Sequence, residues 1–160
     1  SIEGQVLQIF ADAYTPVVDS SAIPTGEIAS VEGTPMDFRT EKQIGQDIRA
    51  DFEQLHFTGG YDHNYVLGRP GEKKIMANAY CRESGIALEA ATDCCGVQFY
   101  AGNFIGEQTG KGGAAYHDRS AFCLESQFYP NAVNEPDFPS PVVKAGHTYH
   151  TETSYRFYLR

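Results

Sequence analysis

Ile75-Met76-Ala77-Asn78-Ala79-Tyr80-Cys81-Arg82, then Glu83-Ser84-Gly85, then Ile86-Ala87-Leu88-Glu89-Ala90-Ala91-Thr92 is where the fold is most legible. Two alternating segments flank three residues with the length and chemistry of a hairpin loop, so two antiparallel strands are expected. Strand signals recur on both sides. Residues 5 to 12 set Leu7, Ile9 and Ala11 against Gln8, Phe10 and Asp12, the period of two of a half-buried strand, and Pro16 ends it. Residues 20 to 39 are rich in turns, with short extended pieces such as Glu27 to Val31. Tyr65 to Leu67 is a short apolar run ahead of a turn at Pro70-Gly71. Val97 to Tyr100 and Ala121 to Phe128 read as further strands, with the glycine-rich Gly106 to Gly113 as a loop between them. Thr148 to Leu159 alternates Tyr149, Thr151, Thr153, Tyr155, Phe157 and Leu159 against their neighbours, and is expected to close the sheet.

One helix is expected, over residues 41 to 55. Thr40 with Gln43 makes a capping box, and Ile44, Ile48, Phe52 and Leu55 follow at helical spacing. Gly45 weakens it by about 1 kcal/mol relative to alanine. With no repeat, linker or low-complexity tract, the chain reads as one antiparallel β-sandwich domain over residues 1–160, in an all-β class.

Composition narrows the functional classes. A net charge of -9 argues against a nonspecific grip on nucleic acid or an anionic membrane, which needs clustered Lys and Arg. Small neutral ligands suit such a surface better. Sixteen glycines, eight prolines and aromatics made up only of Tyr and Phe favour short strands and tight turns. The four cysteines, Cys81, Cys94, Cys95 and Cys123, form no C-x-x-C pair and no dense disulfide scaffold, so reduced thiols in a soluble cytoplasmic protein are expected. No run is long and apolar enough to span a membrane, and the residues from Ser1 onward show no basic region followed by a hydrophobic signal segment. The chain is already strand-like by Gln5, so a processed start or a preceding segment is expected.

Few residues are candidates for chemistry. Alternation along Phe122 to Phe128 puts Cys123, Glu125 and Gln127 on one face and Phe122, Leu124, Ser126 and Phe128 on the other. Glu125 is then either a solvated outward carboxylate or a general base in a cleft. Tyr61-Asp62-His63-Asn64, beside Gly59-Gly60, could hold sugar hydroxyls or simply be good turn chemistry. Gln98 and Asn103 add amides next to aromatics, as at carbohydrate sites and at any β-edge. His147 and His150, three apart on a strand, point to opposite faces and do not suggest a metal. Cys94-Cys95 cannot chelate in strand geometry, and Gly110-Lys111-Gly112-Gly113 lacks the frame of a phosphate loop.

Six phrases then occur in order: Ala11-Asp12-Ala13-Tyr14-Thr15-Pro16, Ile23-Pro24-Thr25-Gly26-Glu27, Gly33-Thr34-Pro35-Met36-Asp37-Phe38-Arg39, Gly60-Tyr61-Asp62-His63-Asn64, Gly96-Val97-Gln98-Phe99-Tyr100-Ala101-Gly102-Asn103 and Glu125-Ser126-Gln127-Phe128-Tyr129-Pro130. This series resembles the C-terminal part of the aldose 1-epimerase (galactose mutarotase) family, and the likeness continues to Gly146-His147-Thr148-Tyr149. The resemblance implies a large antiparallel β-sandwich that interconverts the α and β anomers of free aldohexoses such as galactose and glucose, without a cofactor. It implies that Glu125 is the general base, that Asp62 binds sugar hydroxyls and that Gln98 contacts substrate.

The family's acid is a histidine in an Asn-His-Ser/Thr-Tyr-Phe-Asn-Leu phrase, and none of His56, His63, His117, His147 or His150 sits in one. The monosaccharide would therefore be shared with an N-terminal segment carrying that histidine, as a covalent or separate partner. Cys94-Cys95-Gly96 also departs from the family, which usually has proline before the glycine. A noncatalytic carbohydrate-binding or interaction protein on the same fold is the alternative. A hexose-phosphate epimerase ranks below both, because Arg39, Arg49, Arg69, Arg82 and Arg119 are scattered along the chain.

Overall fold

The structure is a computed structural model and describes residues 1–160. After a 3-10 turn at Ile2–Gly4 the elements are β1 (Val6–Ile9), β2 (Ala13–Thr15), β3 (Ala29–Ser30), β4 (Lys42–Gln43), α1 (Glu53–Thr58) and β5 (Asp62–Val66). Then come β6 (Lys74–Tyr80), β7 (Ile86–Thr92), β8 (Gly96–Tyr100), β9 (Gln108–Thr109), β10 (Ala115–Tyr116), β11 (Cys123–Gln127) and β12 (Thr153–Leu159). Two five-stranded antiparallel sheets result, ordered β12-β7-β6-β1-β4 and β11-β8-β5-β2-β3, with β9 and β10 as a separate small ribbon. The all-β antiparallel architecture is the expected one. No helix is long and apolar enough to cross a membrane.

Register explains how the sheets face each other. In the first, Ile9 pairs with Ala77 and Ala77 with Ala90, while Leu7 pairs with Ala79 and Ala79 with Leu88. These two rungs point inward, and their small alanines leave room for large side chains from the other sheet. There, the rung His63–Phe99–Leu124 and the rung Tyr14–Tyr65–Val97–Ser126 face the core. Phe38 fills the space between, edge-on to Tyr61, Tyr65 and Phe99 with ring centroids 5.0, 6.5 and 5.5 Å away. Such pairs add about 0.5–1.5 kcal/mol beyond the area they bury.

The hairpin forms as read, with β6 ending at Tyr80 and Gly85 in the left-handed region at φ 71°. A register shift between Ile75 and Ala77 brings Met76 into the core. Three expectations are corrected. Residues 41 to 55 are not one helix: Lys42 and Gln43 pair with β1, and helix begins only at Glu53. The cause lies in backbone hydrogen bonding, because the N–H groups of Ile44 and Gly45 donate to the carbonyls of Gln5 and Glu3, 2.9 Å each, instead of to a helical ladder. Glycine is needed at 45, where a Cβ would lie 2.7 Å from the Glu3 side chain. Ile44, Ile48 and Leu55 are nonetheless buried, so the apolar spacing marks core positions reached by turns.

The last strand starts at Thr153 rather than Thr148, and it lies at the edge of its sheet instead of closing it. The glycine-rich stretch is not simply a loop, since β9 and β10 pair within and beside it.

Candidate active site

The second sheet has one face on the core and one turned outward, and alternation assigns each residue. Because His63, Phe99 and Leu124 point inward, their neighbours Asp62, Asn64, Gln98, Tyr100, Cys123, Glu125 and Gln127 point outward. Pairing then lines up Thr15, Asn64, Gln98 and Glu125 on one outward rung. On one side of it stands the rung Asp62–Tyr100–Cys123, on the other Val66–Gly96–Gln127. Three residues 36 and 27 positions apart in sequence, Asp62, Gln98 and Glu125, thus share a small area of one surface.

Hydrogen bonds tie the set together. Gln98 Nε2 donates to Asp62 Oδ1 at 2.8 Å, and Gln127 Nε2 donates to Gln98 Oε1 at 3.1 Å and to Asn64 Oδ1 at 3.3 Å. Glu125 is exposed and stands directly across from Gln98. Burial raises the Asp62 carboxyl above its ordinary range, partly offset by the Gln98 bond. Cys123, two residues from Glu125 on the same face, has its thiol raised by burial first and then by the neighbouring Glu125 carboxylate.

Flanking segments border this area at both ends. At the Gly96 end Tyr129, Ala132, Phe138 and Cys95 form a second small core, against which Val66 packs. Tyr129 lies so close over β8 that a Cβ on residue 96 would come 2.9 Å from its ring and 2.4 Å from Asn64 Oδ1. Only glycine allows both to sit there. At the other end the Tyr100 hydroxyl accepts the Phe104 N–H at 3.0 Å and orders the loop carrying that exposed phenylalanine.

Of the expected site residues, Asp62, Gln98 and Glu125 come together. Tyr61 and His63 do not join them: both are fully buried, Tyr61 bonding the Pro35 carbonyl at 3.0 Å and His63 standing edge-on to Tyr14. The His63 Nδ1 accepts the Asp62 N–H at 3.2 Å, and burial holds its pKa down at about 4. Asn103 is likewise structural, its buried amide clamping the carbonyls of Thr58 and Tyr61 at 3.0 Å each. Of the remaining histidines, His56 lies 3.5 Å from Asp51 and His117 bonds Glu107 at 2.8 Å. Nowhere do three or more His, Cys, Asp or Glu side chains gather as they would around a metal. Gln127 is the residue whose part in the network the sequence did not reveal, although alternation had put it on the face of Glu125.

Residues 1–156 match the model of the aldose 1-epimerase family. The chain is 45% identical over 150 residues to a galactose mutarotase from Sus scrofa, covering 93% of this chain and 42% of that protein. It is 36% identical over 159 residues to an aldose 1-epimerase from Escherichia coli K12, covering 98% of this chain and 45% of that one. A crystal structure of an aldose epimerase homologue from C. elegans superposes on 99% of the chain and 47% of its own length, with a TM-score of 0.84 at 27% identity. The chain therefore spans under half the length of the relatives it matches. With its ordered phrases, its antiparallel sandwich and a family match over almost every residue, this chain belongs to the aldose 1-epimerase family.

Proposed function

We propose that these residues supply the base side of an aldose 1-epimerase site, with Glu125 as general base, Asp62 as a ligand of sugar hydroxyls and Gln98 as a substrate-contacting amide. The observation that carries this reading is the outward rung that sets Glu125 across from Gln98, with Gln98 bonded to Asp62 at 2.8 Å. The substrates are free aldohexoses such as galactose and glucose. Asp62 has one oxygen engaged by Gln98 and one free for a hydroxyl.

The reaction needs only proton movement. Glu125 takes the proton of the C1 hydroxyl while an acid donates one to the ring oxygen, and the C1–O5 bond breaks to leave an open-chain aldehyde and a C5 hydroxyl. Rotation about C1–C2 presents the other carbonyl face. The C5 oxygen attacks it and loses its proton to the conjugate base of the acid, while Glu125 returns its proton to the C1 oxygen. His63 is unsuited to the acid role because its ring points into the core and stays neutral. In this reading the acid is the histidine of the family's Asn-His-Ser/Thr-Tyr-Phe-Asn-Leu phrase, on a segment other than these residues. All four cysteines are free thiols, which suits a cytoplasmic role in hexose metabolism.

The test is Glu125→Gln in the full-length polypeptide, followed by optical rotation of freshly dissolved α-anomer with spontaneous mutarotation subtracted. Glutamine keeps the size and cannot accept the proton. A fall in kcat of about 10²- to 10⁴-fold with a modest change in KM is expected. Near-normal turnover would remove Glu125 as the base.

A further inference from the structure

We infer that Gln127 is a positioning residue that sets which way the Gln98 amide faces, and so keeps Gln98 donating to Asp62. This rests on the epimerase reading for its consequence, though not for its geometry. The two ends of an amide differ only in hydrogen-bonding character, so its orientation is chosen by neighbours. Gln98 has two. Asp62 Oδ1, 2.8 Å away, accepts only, and it requires the Gln98 nitrogen. Gln127 is itself an amide, but its Nε2 faces the Gln98 oxygen at 3.1 Å and the Asn64 oxygen at 3.3 Å, so in this arrangement it stands as a donor and matches the Gln98 oxygen. A flipped Gln98 would set oxygen against carboxylate and nitrogen against nitrogen.

Asn64 is the second amide that Gln127 faces. The same Gln127 nitrogen donates to Asn64 Oδ1 at 3.3 Å, which turns the Asn64 nitrogen away. That Nδ2 is buried without a partner, as is Thr15 Oγ1 across the strand pair. Leaving a buried donor unpaired costs free energy, and it is tolerated here in the arrangement that satisfies Gln127. One forked donor thus orders two outward amides on adjacent strands. The sugar meets a preset surface: a free Asp62 oxygen, a Gln98 amide held by both ends and the Glu125 carboxylate beside it.

The experiment compares Gln127→Leu and Gln127→Glu in the full-length polypeptide, alone and with Gln98→Leu. Leucine removes the donor. Glutamate keeps the shape but, ionised at neutral pH, presents acceptors to the Gln98 and Asn64 oxygens and favours the flipped amides. The expected result is a rise of about 3- to 10-fold in galactose KM for Gln127→Leu with kcat little changed, and a larger rise for the isosteric Gln127→Glu. In the Gln98→Leu background, Gln127→Leu adds nothing further.

A space-filling role predicts the reverse order, with glutamate the milder change, and additive effects in the double variant; either result overturns the inference. A sugar-free readout separates this from failure of the epimerase reading. The Gln98 side-chain amide NMR signals must move in Gln127→Leu with the remaining spectrum retained. Unmoved signals overturn the role of Gln127 even if turnover falls. Moved signals in a protein that neither binds nor turns over galactose uphold the positioning and remove only the proposed activity.

Discussion

Phe99 on β8 and Phe157 on β12 both sit on inward rungs, and they meet opposite fates. Phe99 is fully buried, stacked on Tyr61 at 5.3 Å and edge-on to Phe38 and Phe122. Phe157 continues the rung Leu7–Ala79–Leu88, yet 69% of it is exposed, and Leu159 beyond it is 80% exposed. The flank through β1, β5 and β8 is closed by interlocking aromatics. At the flank through β11 and β12 the sheets touch mainly through polar groups: Tyr155 Oη donates to the Leu124 carbonyl at 2.7 Å, and the Ser126 and Thr153 hydroxyls meet at 2.6 Å. An inward position is a matter of pleat, whereas burial requires something opposite it. The candidate site lies on the sheet that spans both regimes, its Asp62 end anchored on the closed flank and Glu125 on the edge strand of the open one.

Substitutions can break or sharpen this contrast. The largest effect is expected for Phe99→Ala, which removes the centre of the aromatic cluster. It should cost about 3–5 kcal/mol by denaturant unfolding. A loss below about 1 kcal/mol would mean that the closed flank is no better packed than the open one.

His63 tests the same flank by pH. Its ordinary pKa near 6.5 falls to about 4 on burial, so the unfolded chain binds the proton more readily. Its contribution is intact above pH 6.5 and is lost as pH falls towards 4, by about 3 kcal/mol in all. The stability difference between the protein and His63→Leu should therefore shrink with that sign over that window. A flat difference would show that the ring is accessible to water.

Asp62→Ala moves to the outward face and should leave folding almost unchanged while weakening galactose binding by about 1.5–3 kcal/mol. The loss should fall chiefly in KM; polarimetric kinetics unchanged on both galactose and glucose would remove Asp62 as a ligand of sugar hydroxyls. The smallest effect belongs to Phe157→Ala, within about 0.5 kcal/mol in the 160-residue chain. A cost on the scale of Phe99→Ala would instead mean that the open flank is covered opposite β12.

Much of this arrangement was legible in the order of residues. The period of two between Ile75 and Thr92 marked β6 and β7, Gly85 marked their turn, and alternation around Glu125 put Gln127 and Cys123 beside it. These are local consequences of strand geometry, which fixes side-chain direction residue by residue. Helical spacing misled at Ile44, Ile48 and Leu55 because burial alone made those positions apolar, while the carbonyls of Glu3 and Gln5 had claimed the backbone donors. Sequence neighbourhood misled at His63, which follows Asp62 and faces away from it.

By itself, then, the sequence determined the all-β class, the family and the shared face of Glu125 and Gln127, since each depends on short-range pattern or on ordered phrases. Tertiary structure alone decided that Asp62, Gln98 and Glu125 meet, that Gln98 is held at both ends, and that Phe99 is buried while Phe157 is not. Those outcomes depend on register between strands distant in the chain and on what packs opposite each face, and neither is encoded in any one segment.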